Sequence, residues 1–246
     1  MSKKDTIIML SVLFGLFIVI VIAGGFLFTQ LFRGAGEIQQ EERRTEEFTE
    51  ITLKTIGSLY IEQGDAVSVE VEAGENIIDD ILTEVEDNEL VIRSKEGAKF
   101  HSFILNKSPK YYVTVKDLTE VTLSGSGSIK SDGITSDSFK VTLSGSGNID
   151  LELEAKELTA TISGSGSIDL SGEVQKQDVT VSGSGGYQAR SLDSEECMAS
   201  IPGSGSITLT VSDKLDAEIT GSGDISYYGN PEVTEKISGS GNIRKR

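Results

Sequence analysis

The chain has 246 residues, a formal net charge of −17, no tryptophan and one cysteine. No cluster of lysine and arginine able to hold phosphates occurs outside the last few residues, so nucleic acid is not expected as a partner. The lone Cys197 excludes an internal disulfide framework and any cysteine-based zinc site, while 37% hydrophobic residues set the chain apart from disordered sequences.

Thr6 to Phe32 form an uncharged run of 27 residues. That exceeds the roughly 20 residues needed to cross a bilayer core and is longer than the apolar core of a cleaved signal peptide. Residues 1–33 therefore read as one N-terminal transmembrane helix, with residues 7–32 as the lipid-bilayer contact. Lys3 and Lys4 precede the run and only Arg33 follows closely, so the positive-inside rule puts the C-terminal domain outside the cytoplasm, extracellular or periplasmic. Residues 34–48, polar and without alternation, read as a charged spacer.

Beyond it, residues 49–246 read as an all-β head. "ITLKTIGSLYIEQG", "AVSVEVEAG", "ELVIRSKEG" and "YYVTVKD" alternate over short stretches bounded by Gly, Asn or Asp, the pattern of half-buried strands. Between them "ENIIDDILTEVED" has apolar spacing that also fits a short helix.

From residue 119 to the end a Gly-Ser-Gly string recurs. It begins at Gly125, Gly145, Gly164, Gly183, Gly203, Gly221 and Gly239, in steps of 20, 19, 19, 20, 18 and 18. A fixed period near 19 is too short for an independent domain or a propeller blade and long enough for one turn of a solenoid. An aliphatic column precedes the strings (Leu123, Leu143, Ile162, Val181, Ile201, Ile219, Ile237) and a second column follows them (Ile129, Ile149, Ile168, Tyr187, Ile207, Ile225, Ile243). Period-two alternation puts these residues and both glycines inward, where a narrow coil has no room for two more large side chains, and turns the serines outward. A further core column holds Phe139, Leu158, Cys197, Leu215 and Val233.

The most regular exposed feature expected is the ladder Ser126, Ser146, Ser165, Ser184, Ser204, Ser222 and Ser240. It is either a hydroxyl-lined face for sugars or another surface, or simply small residues bonding one another in a tight coil. Gly-x-Gly-x-x-Asp at 145–150 and 164–169 is a weak match to calcium coils, because the other copies carry Lys130, Gln188, Thr208, Ser226 and Arg244 in place of Asp150 and Asp169. No carboxylate pair stands out for glycoside cleavage, and His101 has no nucleophile motif near it. Adjacent Tyr227 and Tyr228 point to opposite faces, so at most one could serve a sugar. No catalytic residue, cofactor or metal is expected. Pro202 in place of a string serine implies a corner or a local defect, and Arg244, Lys245 and Arg246 would protect an open coil end by repulsion.

"FTEITLKTIGSLYIEQGDAVSVEVEAGENIIDDILTEVEDNELVIRSK" (48–95), "YYVTVKDLTEVTLSGSGSI" (111–129) and the later Gly-Ser-Gly coils resemble the auto-transporter adhesin head domains, or head GIN domains, a family of unknown function. The resemblance implies a right-handed parallel β-helix at the cell envelope and supplies no catalytic residues. The expected role is a membrane-anchored, non-enzymatic binding or adhesion module whose partner is a glycan or surface protein. The alternatives are an envelope scaffold without a specific ligand or, further off, an enzyme acting on polysaccharide. A binding module should gather exposed aromatics on one face.

Overall fold

The computed structural model describes residues 36–98 and 108–246; the apolar run 6–32 and His101 lie outside them. Among the described residues no helix is long and apolar enough to cross a membrane.

One coil shows how the head is built. In β10 (Asn148–Ile162), Ile149, Leu151 and Leu153 alternate inward, the alternation slips at Ala155–Glu157, and Leu158, Ala160 and Ile162 alternate inward again. The slip makes one corner of the coil, and residues 163–166 of the Gly-Ser-Gly string make the other. β9 (Ser128–Leu143), β11 (Ser167–Val181), β12 (Gly186–Ile201) and β13 (Ser206–Ile219) repeat the plan. Neighbours pair parallel and in register, Ile149 opposite both Ile129 and Ile168, so like residues stack as expected. The ladder does not break at the string: Ser163 N–H donates to Leu143 O at 2.9 Å, Ser165 N–H to Gly145 O at 3.2 Å and Ser167 N–H to Gly147 O at 3.3 Å. A backbone turn with paired donors costs little, whereas unpaired donors shut away from water cost heavily.

The glycines serve another purpose than filling a narrow interior. Only the second glycine of each string from Gly127 to Gly223 is buried; the first is half-exposed. A Cβ on Gly164 would overlap the carbonyl of Gly145 in the preceding coil, and a Cβ on Gly166 would overlap the carbonyl of Gly147 and lie 3.0 Å from Leu143 Cδ2. The main constraint runs along the axis, coil against coil, and interior crowding adds to it only at the second glycine.

The first coil is threaded out of chain order. β2 (Glu50–Leu53) lies between β6 (Glu89–Ser94) and β8 (Glu120–Leu123), and β3 (Ser58–Gln63) lies between β7 (Lys110–Val115) and β9. All these pairings are parallel. Its corner lacks the string and turns differently, Gly57 having φ +114° where no string glycine has a positive φ, but the close coil contact recurs: a Cβ on Gly57 would press on Pro109 O and the Tyr111 ring.

Three strands cap this end. β4 (Ser68–Gly74) runs antiparallel to β7, β1 (Ile38–Arg43) antiparallel to β4, and β5 (Ile81–Glu86) antiparallel to β6. The stretch that also fitted a short helix forms only a 3₁₀ turn, Ile78–Asp80, and then β5. Pairing with β6 and burial of Ile77, Ile78 and Ile81 over the end of the core override the helical spacing. The expected spacer contains β1. Its polar side chains hid it, because an edge strand held by backbone bonds and by Gln40 and Arg43 contacts needs no apolar alternation.

At the other end β14 (Asp224–Tyr228), β15 (Glu232–Ile237) and β16 (Asn242–Lys245) form the last turns, and Ile237 is 45% exposed. Pro202 sits at a corner, exposed, with Ser204 N–H still donating to Gly183 O at 3.0 Å; the ladder loses one donor there and continues.

Candidate binding face

Side-chain direction sorts the six tyrosines into two sets. Tyr111, Tyr187 and Tyr227 are buried, while Tyr60, Tyr112 and Tyr228 point outward. In both adjacent pairs, Tyr111–Tyr112 and Tyr227–Tyr228, one ring goes in and one out, as alternation requires. The three outward rings all lie on the same side of the solenoid, the face of the strand run that follows each string. Among the described residues every phenylalanine is buried, so no other face carries an exposed aromatic ring.

At the capped end of this face Tyr60 and Tyr112 stack across β3 and β7, ring centroids 5.3 Å apart and planes 15° from parallel. Beside them is a depression of about 550 Å³ lined by Tyr60, Glu62, Tyr112, Thr114, Lys130 and Asp132, among others. Towards the open end Arg190 lies 4.7 Å over the Tyr228 ring, next to a smaller depression of about 270 Å³ that includes Asp150, Asp169 and Gln188.

The opposite corner is different in kind. Its groove of about 730 Å³ is lined by Asp117, Asp137, Glu154, Lys156 and Glu173 without an aromatic ring. Beside it the register sets Glu157, Lys176, Glu196, Lys214 and Glu232 in one file of alternating sign, with Lys176 Nζ 3.3 Å from Glu196. Exposed pairs of this kind contribute little each, but alternation removes the repulsion that like charges one rung apart would cause.

All seven ladder serines, Ser126, Ser146, Ser165, Ser184, Ser204, Ser222 and Ser240, are exposed along the string corner. Their expected hydroxyl–hydroxyl bonds do not form: among the described residues the contacts run instead through the backbone, as in Ser222 N–H to Gly203 O at 2.9 Å. Asp150 and Asp169 do stack in register, but the file continues as Lys130 on one side and Gln188 on the other, and among the described residues no three His, Cys, Asp or Glu side chains converge as a metal would need. The carboxyl groups with displaced pKa values are held low. Lys116 holds down Glu47, Lys110 holds down Glu72, Lys214 holds down Asp216 and the Asn242 amide holds down Asp224, each chiefly through a hydrogen bond. A general acid requires the opposite displacement.

The interior holds one polar chain that the apolar columns conceal. Gln177 occupies the file of Phe139, Leu158, Cys197 and Leu215. Tyr187 O–H donates to Gln177 Oε1 at 2.8 Å, Gln177 Nε2 donates to Ser194 Oγ at 2.7 Å, and Ser194 O–H donates to Thr210 O at 2.8 Å. Burial pushes the Cys197 thiol, and the Tyr187 and Tyr111 hydroxyls, well above their ordinary values of 9.0 and 10.0. The folded chain therefore keeps protons that the unfolded chain releases. Stability is whole below pH 9 and falls as pH rises above it; urea midpoints measured from pH 7 to 10.5 should decline only in the upper part of that range, and a flat profile would contradict the burial of these groups.

No curated protein matches the chain by sequence. Residues 47–231 match the family described as "Putative auto-transporter adhesin, head GIN domain". The chain belongs to the head GIN domain family. This head GIN domain superposes on a crystal structure of "a putative adhesin" from Bacteroides fragilis with TM-score 0.79 and 25% identity, over 85% of this chain and 97% of that one. A "putative lipid binding protein" from Parabacteroides distasonis aligns with TM-score 0.70 and 28% identity over 87% and 98%, and a second Parabacteroides distasonis "putative adhesin" with TM-score 0.68 and 25% identity over the same shares. The likeness to these chains shows a shared fold over most of this chain and nearly all of each of theirs.

Proposed function

We propose that this head GIN domain is an adhesion-type binding module displayed at the cell surface, working without catalysis and tethered to the bilayer through residues 7–32. The observation that carries the reading is the gathering of Tyr60, Tyr112 and Tyr228 on one side of the solenoid. Exposed aromatic area is a cost that a chain of this net charge has no solubility reason to bear, and rings are the side chains that binding surfaces favour. A scaffold stacked without a ligand would have no use for outward tyrosines confined to one face. Family membership and the adhesin descriptions of its structural neighbours support the same role. With β1 part of the head, only residues 33–37 separate it from the apolar run, so a tethered head would stand with its cap at the membrane and its aromatic face running away from it.

Beads coated with the full-length chain are expected to hold bacterial envelope fragments saturably, and free protein should compete them off. Retention no greater than on albumin-coated beads would end the adhesion reading.

A further inference from the structure

We propose that the depression beside Tyr60 and Tyr112 is a carbohydrate site that seats a pyranose of a glycan against the tyrosine pair. The inference rests on the binding reading above and assigns it a place and a ligand chemistry.

The site spans three neighbouring strands, β7, β3 and β9. Tyr112, Tyr60 and Lys130 form one outward file, in register across the strands, and Thr114, Glu62 and Asp132 occupy the next outward positions. Between the two files the surface is concave. A pyranose has an apolar C–H face and a rim of hydroxyls, so it needs a ring to lie on and charged or amide groups around it to take the hydroxyl hydrogens. The tyrosines supply the first. Glu62 and Asp132 supply the second: among the described residues neither has an ion-pair partner, which leaves their oxygens available to accept. Lys130 Nζ pairs with Asp150 Oδ2 at 4.0 Å, and the three N–H groups of an ammonium leave it donors to spare. Two rings only 15° from parallel do not enclose a guest from several sides, as a cage for an organic cation, the other guest that stacked rings attract, would need to.

Two features show that the concavity is built in. β9 carries Asp132 and Gly133 where β10 carries the single residue Glu152, a bulge between Leu151 and Leu153 in the register; bulges of this kind re-aim side chains beside sites. Gly133 differs from the string glycines, since a Cβ there would meet nothing within 4 Å and its φ is not positive. Folding does not require glycine at this position, and its lack of a side chain keeps the depression open. The bulge is also pinned. The Gln63 amide donates to Lys116 O at 2.9 Å and Thr135 O at 3.2 Å and accepts from Thr135 N–H at 2.8 Å, while Ser131 O–H donates to Ile61 O at 2.8 Å. A site held by its neighbours before the ligand arrives loses less entropy on binding.

The test uses the full-length chain and three soluble hexasaccharides, of glucose, of mannose and of N-acetylglucosamine, read by calorimetry and by tyrosine fluorescence, which no tryptophan obscures. At least one hexasaccharide is expected to bind saturably. Tyr60→Ala should weaken it about tenfold, the size of one lost ring contact, Tyr60→Phe should retain it, and Tyr228→Ala should leave it within about twofold. Gly133→Leu should also abolish binding while melting like the wild type, which separates a filled site from a damaged fold. The proposal is overturned if no hexasaccharide binds, if binding ignores both Tyr60→Ala and Gly133→Leu, or if tetramethylammonium binds there in their place. Beads that hold envelope fragments while no hexasaccharide binds would sink the carbohydrate site and leave adhesion standing; the reverse result would sink adhesion and leave the site.

Discussion

Gly164→Ala is expected to lower stability by about 3 kcal/mol, the upper end of what overpacking costs, and the melting temperature by about 6–12 °C for a chain of this length. The new methyl would overlap the carbonyl of Gly145, with Ser144 O 2.8 Å away. Both obstacles are backbone, tied into ladders above and below, so neither can rotate aside as a side chain would. Relief would require two coils to part, which would break bonds such as Ser165 N–H to Gly145 O. Gly133→Ala is the internal control. It adds the same methyl where nothing lies within 4 Å and should stay within about 0.5 kcal/mol of the wild type. Thermal melting followed by circular dichroism measures both; equal melting temperatures would mean that the strings do not stack in contact.

The second large effect concerns the buried polar chain. Tyr187→Phe removes the donor to Gln177 Oε1 and leaves a buried acceptor unpaired, at a cost of about 1–3 kcal/mol. Gln177→Leu is expected to cost a similar amount, because it strands the Tyr187 hydroxyl in the core while fitting the aliphatic file of Leu158 and Leu215. The double variant should cost clearly less than the two singles together, since neither the Tyr187 hydroxyl nor the Gln177 carbonyl remains to be left unpaired. Urea denaturation of all four proteins completes the cycle. Strict additivity would mean that Tyr187 and Gln177 are not coupled through their hydrogen bond. A satisfied polar group at one level of an otherwise apolar column also marks the register: a one-coil slip would set Gln177 against the apolar core of a different coil.

Much of this architecture was readable in order of residues. Ile149, Leu151 and Leu153 alternate within one strand, and Ile129, Ile149 and Ile168 recur at the coil period, so inward faces and stacking follow from position alone. The outward serines and the opposed directions of Tyr227 and Tyr228 were legible for the same reason. Gln177 was hidden because its polarity conceals a core position whose neighbours in the file, Leu158 and Cys197, come from other coils. Strand β1 was hidden because its side chains carry no alternation, its pairing with β4 being made by backbone. The stacked ring pair was hidden most deeply. Tyr60 and Tyr112 are 52 residues apart and meet only because β2–β3 inserts out of chain order between β6–β7 and β8–β9.

The amino-acid sequence by itself determined the coil: period two sets which way each side chain points, and a repeat near 19 residues sets which residue stacks on which, both being properties of local chain geometry. Only the tertiary structure decided the rest. It set the order of the first coils, the strands that close the capped end, the axial contact that makes glycine obligatory in the strings, and the aromatic face with its depression. Each depends on which distant strand lies 4.8 Å away, about one rung, and that distance is a property of the assembled solenoid rather than of any stretch of its chain.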